Sequence, residues 1–185
     1  SVVYNRDLRA KIYKVNKYSS FRQFVSGQAV PPIILCIGSP KVPGDSFGPI
    51  TGKLLIERFF VPTDVYGTCA SPLHALNLTA EVEKIRLIHP HRKIIAVDSA
   101  ICANVKTGTL SAFPGGIRPG LAAGKDLGTV GDWSLTATVA NRDKSELFSI
   151  GRGYVFTLSV KAALMIKAAF PDGSARADGK RIRIL

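Results

Sequence analysis

Two aspartates, Asp45 and Asp98, are the residues of this chain whose type and position best suit chemistry. Asp45 lies in a glycine-rich segment, residues 44–49 (GDSFGP), between an apolar run that predicts a strand and an apolar segment with helical periodicity. Asp98 closes the clearest predicted strand, residues 93–98 (KIIAVD). Two carboxylates held close together differ in proton affinity, or share a divalent cation that activates a water. The pair therefore predicts acid–base or metal-assisted hydrolysis.

Residues 38–46 (GSPKVPGDS) also have the composition of a phosphate-binding loop. A Walker A loop has lysine directly after its second glycine, where this chain has Asp45, and a carboxylate there repels phosphate. No G-x-G-x-x-G pattern is present for a dinucleotide, so the segment argues against nucleotide binding. The structural alternative for Asp45 is a helix N-cap, but Pro49 at the first helical position would make Gly48 the cap and leave Asp45 in the loop.

The predicted elements follow the βαβαβ order that produces a parallel sheet with right-handed crossovers. We therefore predict an α/β fold, with three α/β/α layers and a mostly parallel, doubly wound sheet. Glycine-rich residues 104–132 are expected to form a hairpin or excursion, with a strand near 107–113, and then an ordered loop. Thr79 is the expected cap of its helix. Strands are predicted at 33–37, 64–67, 93–98, 133–139 and, as an edge strand or a mobile end, 181–185; helices are predicted at 5–24, 50–60, 79–88 and 154–170.

The expected strand order places the two acids at one crevice. In a doubly wound sheet of order 2-1-3 the first and third strands are neighbours, and ligands bind outside their carboxyl ends at this switch point. Asp45 follows the first strand and Asp98 ends the third. Neighbouring strands lie about 4.8 Å apart, which is close enough for two carboxylates to share a water or a metal ion.

The length and charge of the chain limit its number of domains and the partners that it suits. Its 185 residues are interpreted as one domain, 1–185, with a basic N-terminal helix in 1–30, a core in 31–171 and a basic tail in 172–185. The formal net charge of +12 is concentrated at both ends. Such charge suits an anionic partner or a solvated face, and nucleic acid is the less favoured partner because no nucleic-acid-binding motif is present.

Membrane and secretion signals are absent from the sequence. No apolar run approaches the roughly 20 residues of a membrane helix, and the basic N-terminal segment lacks the apolar stretch of a secretory signal. The cysteines, Cys36, Cys69 and Cys102, are three in number and widely spaced, which favours a reducing, cytoplasmic setting. A thiolate nucleophile at Cys69 or Cys102, paired with His74, is an alternative that no surrounding motif supports.

Five motifs follow one another along the chain: GDSFGP at 44–49, VYGT at 65–68, PLHALNL at 72–78, AVDS at 96–99 and VGDWS at 130–134. In order and spacing this set resembles the YyaC-type sporulation proteins over about residues 33–140. These proteins are regarded as spore proteases; they are similar to the germination protease that degrades small acid-soluble spore proteins and, more distantly, to the hydrogenase maturation peptidases. Near residues 39–42 and 69–71 the chain departs from the usual family sequence.

The resemblance implies a phosphorylase/hydrolase-like fold and a spore peptidase located in the forespore or spore interior. Its implied catalytic pair is Asp45 and Asp98, and its implied substrate is a peptide or protein, with small acid-soluble spore proteins as the named class. The maturation peptidases also imply a divalent metal at these two acids, with Asp132 as a third ligand. The remaining predicted substrate contacts, beside the acids, are Ser46, Ser99 and His74.

Two other functions stay open at this stage. The fold can serve as a non-catalytic binding module whose crevice or basic ends hold an acidic protein or nucleic acid. A regulator that binds a metal or a small ligand is the third hypothesis. The oligomeric state is not predicted.

Overall fold

The computed structural model describes residues 2–3, 16–119 and 128–170. Residues 5–15 of the first predicted helix, 120–127 of the glycine-rich segment and the tail 172–185 with its edge strand fall outside these ranges. Within the described residues the helices are α1 (Asn16–Ser26), α2 (Phe47–Glu57), α3 (Leu78–Ile88), α4 (Glu146–Ser149) and α5 (Arg152–Ala169). The strands are β1 (Val2–Val3), β2 (Ile33–Cys36), β3 (Val65–Tyr66), β4 (Ile94–Ile101), β5 (Leu110–Pro114) and β6 (Trp133–Ala140).

The strands form one sheet of order β3-β2-β4-β6-β5, with β1 alongside β4. All pairs are parallel except β5 with β6, which is antiparallel. The first three predicted strands therefore lie in the order 2-1-3, because β2 separates β3 from β4. The predicted α/β class with a mostly parallel sheet is confirmed.

Helices cover both faces of the sheet, so the molecule has three layers. On one face α1, α2 and α5 bury a cluster that contains Phe21, Leu55 and Leu158 against Trp133 and Leu135. On the other face α3 packs its apolar side, Leu78, Val82 and Ile85, on Leu35 and Ala96. All eight positions of β4 are buried, as expected for a central parallel strand covered on both sides.

Three local expectations were wrong. Asp98 does not end its strand, because Ser99, Ala100 and Ile101 continue to pair with β6. Helix α2 starts at Phe47, so Ser46 is its N-cap residue rather than Gly48. The cap of α3 is Asn77 rather than Thr79, and neither Ser46 nor Asn77 makes a side-chain cap bond. In the described residues, no helix is both long and apolar enough to cross a membrane.

Candidate active site at the carboxyl edge of the sheet

Asp98 lies on β4 just past the point where β2 leaves it. The last residue of β2, Cys36, pairs with Val97, and Asp98 is the next residue along β4. Its side chain is 0 % exposed, and its Oδ1 accepts a hydrogen bond of 2.7 Å from the Ser99 N–H. On its other side Asp98 pairs with Thr136 of β6. A carboxylate is therefore buried in the centre of the sheet at the switch point.

Burial gives this carboxyl an unusual proton affinity. The pKa of Asp98 is raised to about 7, and desolvation by burial is the main cause. The Asp45 carboxylate contributes to this rise, because a second negative charge disfavours ionisation, while the Ser99 N–H acts in the opposite direction. A carboxyl that titrates near neutral pH can act as an acid or a base under physiological conditions.

Asp45 is held at the same edge by two close backbone contacts. It lies in the 3₁₀ turn Gly44–Ser46, which joins the loop after β2 to α2. Gly38 has φ +138°, and a Cβ there would lie 2.1 Å from the Asp45 carbonyl oxygen. A Cβ on Gly48 would lie 2.1 Å from the Ile37 carbonyl oxygen. Glycine at these two positions lets the turn and the first turn of α2 pack directly on the end of β2.

The Asp45 side chain also closes the loop that carries it. Its Oδ2 accepts a hydrogen bond of 2.7 Å from the Ser39 N–H, so the carboxylate is oriented by the backbone six residues earlier. The residue is half-buried, whereas Asp98 is completely buried. Because the Asp45 charge perturbs the pKa of Asp98, the two carboxylates interact electrostatically. The structure thus brings together the two acids that the sequence singled out.

His74 lies beside this loop. The preceding residue, Leu73, bridges to Ile37, and its carbonyl oxygen accepts a 2.7 Å hydrogen bond from the Gly38 N–H. The Nδ1 of His74 accepts a long hydrogen bond of 3.4 Å from the Leu76 N–H, which places the proton of a neutral ring on Nε2. The half-buried ring thus lies at the rim of the same edge.

The two serines that were predicted as substrate contacts, Ser46 and Ser99, are both buried. Ser46 is 2 % exposed, and its hydroxyl donates to the Pro43 carbonyl oxygen. Strand alternation directs the Ser99 side chain to the face covered by α2 and α5, opposite to Asp98. Because the Ser46 hydroxyl is committed to Pro43 and Ser99 lies on the other face from Asp98, neither is carried into the proposal below.

Asp132 lies at the opposite edge of the sheet. Its Oδ2 accepts from the Ile94 N–H and its Oδ1 from the Lys93 ammonium, each at 2.9 Å, at the amino end of β4. Asp98 is four residues further along β4, about 13 Å at 3.3 Å per residue. The structure therefore separates Asp132 from the acid pair, where it was expected as a third metal ligand. Across residues 16–119 and 128–170, no group of three His, Cys, Asp or Glu side chains could hold a metal ion.

The thiolate alternative is disfavoured by the surroundings of the cysteines. Burial raises the pKa of Cys69 and also that of Cys102. A reactive cysteine needs the opposite, a lowered pKa in an electropositive setting. Cys36 is buried among core residues next to Gly52.

Sequence reasoning missed Thr136, which faces Asp98 across the β4–β6 pair. Thr136 is 2 % exposed and pairs in turn with Ser111 of β5, so a polar row crosses three strands. The sequence signal that could have identified Thr136 is a predicted strand in which Ser134, Thr136 and Thr138 alternate with apolar residues. A buried central strand is normally apolar on both faces. Only the pairing register of β6 with β4 shows that this polar side of β6 lies next to Asp98.

Comparison with solved structures identifies the fold of the chain. The chain is similar to the crystal structure of the [NiFe] hydrogenase maturation protease HycI from Thermococcus kodakarensis KOD1, with a TM-score of 0.51, 17 % identity, and coverage of 81 % of this chain and 97 % of the other. HybD, a [NiFe] hydrogenase maturation protease from Thermococcus kodakarensis, aligns with a TM-score of 0.49 and 16 % identity over 75 % of this chain and 98 % of its own. At these identities the likeness to HycI establishes the fold alone.

The sequence then places the chain in a family. Residues 7–167 match the family described as "Protein of unknown function (DUF1256)", and the chain belongs to that family. It is also 33 % identical over 109 residues to the protein YyaC of Bacillus subtilis (strain 168), a match that covers 59 % of this chain. The chain spans about half of that relative, 53 % of its length.

Proposed function

We propose that this protein is a peptidase that uses Asp45 and Asp98 as an acid–base pair. The observation that carries the proposal is the buried Asp98 carboxyl, whose pKa of about 7 is raised in part by the Asp45 charge. A carboxyl group that keeps a proton near neutral pH, beside a second carboxyl group, suits acid–base hydrolysis through an attacking water. The maturation-protease fold and the YyaC relative are consistent with it.

Each acid has a distinct role in this reaction. Asp45 is half-buried, and as the carboxylate it takes a proton from a water that attacks the peptide carbonyl carbon. Asp98 holds a proton near neutral pH because of its burial, and it donates that proton to the departing amine. The Ser39 N–H fixes the Asp45 carboxylate and the Ser99 N–H fixes that of Asp98, so the pair is oriented before substrate binds.

A metal ion is a separate question. Two carboxylates suit a divalent cation, which would supply charge stabilisation and a more acidic water. A resident metal usually has three or more protein ligands, and the described residues do not bring together three His, Cys, Asp or Glu side chains. We therefore derive no step through a metal. The proposal predicts that hydrolysis persists in the presence of a strong chelator.

We further propose that the substrate is a spore protein and that the peptidase acts in sporulation, within the forespore or spore. The support is the resemblance of the motifs to YyaC-type proteins and, through them, to the germination protease. Small acid-soluble spore proteins are the named substrate class, and His74 at the rim is the proposed substrate contact.

The experiment is cleavage of a purified small acid-soluble spore protein, followed by mass spectrometry. Wild-type protein is compared with Asp45→Asn, Asp98→Asn and the control Asp132→Asn, which changes an acid at the other edge of the sheet. We expect cleavage by the wild type and the control, and a loss of at least a hundredfold in either site variant. Equal cleavage by all four proteins would remove the two acids from the mechanism.

The net charge of +12 favours a second candidate, a binding module for an anionic partner. Such a module would bind its partner with an affinity that falls steeply as salt is added and that is unchanged in the Asp45→Asn/Asp98→Asn double variant. Absence of any DNA binding at low salt would exclude the nucleic-acid form.

A further inference from the structure

One edge of β4 is shared by two different strands. β2 pairs with β4 from Ile94 to Val97 and then turns away, as Gly38 bonds to Leu73 instead. Further along β4, β1 pairs in parallel, with Val2 opposite Ala100 and Val3 opposite Ile101. Because β6 occupies the other edge of β4 at these residues, β1 lies on the edge that β2 has left.

Asp98 lies in the gap between the two strands. The last β2 pair is at Val97 and the first β1 pair is at Ala100, so Asp98 and Ser99 separate them. The Val97 carbonyl accepts from the Ile37 N–H, which shows that alternate residues, including Ser99, direct their backbone groups towards this edge. The Ser99 N–H bonds to Asp98 Oδ1 in place of a strand. The proposed catalytic carboxylate is therefore at the start of the segment that β1 occupies.

We propose that this edge of β4, from Ser99 to Ile101, is a binding slot for an extended peptide, and that β1 occupies the slot in cis. The proposal rests on the proposed function in one respect: it names how a substrate peptide reaches the acid pair. Strand addition to an exposed sheet edge is an established mode of peptide recognition, in which backbone hydrogen bonds supply affinity with little demand on sequence.

The parallel direction of β1 determines which part of a substrate peptide, upstream or downstream of the cleaved bond, binds in the slot. β1 runs parallel to β4, so a peptide in the same register has its earlier residues towards Asp98. At about 3.3 Å per residue, two residues upstream of the one opposite Ala100 reach the level of Asp98. The cleaved bond thus lies on the amino side of the docked segment. The slot holds the downstream product, whose new amino group is formed beside the acids.

The cis occupant must be displaced before a peptide in trans binds. A tethered segment competes with an effective concentration of about 1 mM. Weakening β1 is therefore expected to increase the affinity for an external peptide without changing the acids. The same exchange gives the chain a means of limiting its own activity.

The test uses the full chain and the double variant Val2→Pro/Val3→Pro, which removes both backbone donors of β1. The probe is a fluorescent peptide with the sequence of residues 1–6 (SVVYNR), titrated to about 1 mM because that is the range of the effective concentration. Fluorescence anisotropy reports its binding. We expect at least tenfold tighter binding to the variant than to the wild type. The same peptide methylated on the nitrogens of both valines is the control, and it should not bind.

Hydrogen exchange locates the binding. The amide of Ile101, which faces the β1 edge, should exchange faster in the proline variant and slow again when the probe is added. If the proline variant does not fold, as judged by circular dichroism, Val2→Gly/Val3→Gly replaces it. The slot is refuted if a folded variant binds the probe no more tightly than the wild type does, or if the methylated peptide binds equally well. Binding of the probe together with no cleavage of a protein substrate would refute the proposed peptidase alone, whereas cleavage of a protein substrate without the affinity gain would refute the slot alone.

Discussion

Replacement of Asp98 by asparagine is expected to change how the stability of the protein depends on pH. Burial raises the pKa of Asp98 from its ordinary 3.8 to about 7 in the folded protein. Between these two values the unfolded chain has lost the proton and the folded chain keeps it. The folded state therefore binds more protons, and the free energy of unfolding falls as pH rises through this window. Asparagine keeps the shape of the side chain and cannot ionise.

The magnitude follows from the size of the change in pKa. About three pKa units at roughly 1.4 kcal/mol each give about 4 kcal/mol in total. The loss is complete above the folded pKa and absent below the unfolded pKa, so roughly 2 to 3 kcal/mol of it falls between pH 5 and pH 8. The wild type should lose this stability over that range relative to Asp98→Asn.

The assay is urea denaturation of both proteins at pH 5, 6, 7 and 8, with the difference in unfolding free energy plotted against pH. The other ionisable groups are common to both proteins, so their contributions cancel in the difference. Asp45→Asn is the matched control: it removes a charge that helps to raise the pKa of Asp98, so the fall in stability should end at a lower pH than in the wild type. Parallel curves for wild type and Asp98→Asn would show that Asp98 titrates normally, and the reasoning about its burial would be refuted.

Three further substitutions test contacts and backbone conformations that stabilise the fold. Gly38→Ala should destabilise the protein by about 2 kcal/mol or more in thermal denaturation, because φ is +138° and the new methyl meets the Asp45 backbone. The control Gly153→Ala lies inside α5 with open space around the new methyl, and it should not destabilise the protein. Arg92→Ala should lower the free energy of unfolding by about 3 kcal/mol in urea denaturation. This largely buried guanidinium pairs with Asp64 and donates to the Pro31 carbonyl oxygen. Phe60→Gly should raise the free energy of unfolding by as much as about 1 kcal/mol in the same assay, because Phe60 is exposed and its φ of +46° suits glycine better. An unchanged free energy of unfolding would show that the Phe60 backbone is not strained.

Most of the framework could be predicted from the sequence because its signals are local. Apolar runs at β2 and β4, alternation at β6 and helical patterns in α2, α3 and α5 indicated an α/β fold, and the order of elements predicted the neighbours of β2. Asp45 was singled out by its place in the loop after a buried strand, and Asp98 by its place at the predicted end of another. Topology alone was sufficient to bring them to one edge.

The incorrect predictions concern features that are decided by pairing between strands far apart in the sequence. Whether Asp98 ends β4 is decided by pairing with β6, which no local pattern encodes. Asp132 looked equivalent to a ligand in sequence, yet it precedes β6 and bonds to the start of β4. β1 has two residues, too few for any periodicity, and its position beside Ala100 depends entirely on the edge that β2 leaves open.

The most direct test of the two-acid site is peptide hydrolysis in water enriched in ¹⁸O. A proteome-derived peptide mixture is incubated with the wild type, Asp45→Asn, Asp98→Asn and the control Asp132→Asn, and new carboxyl termini are found by mass spectrometry. We expect ¹⁸O-labelled termini from the wild type and the control, and almost none from either variant of the acid pair. Labelled termini of equal yield from all four proteins, or from none, would contradict a peptidase that works through Asp45 and Asp98.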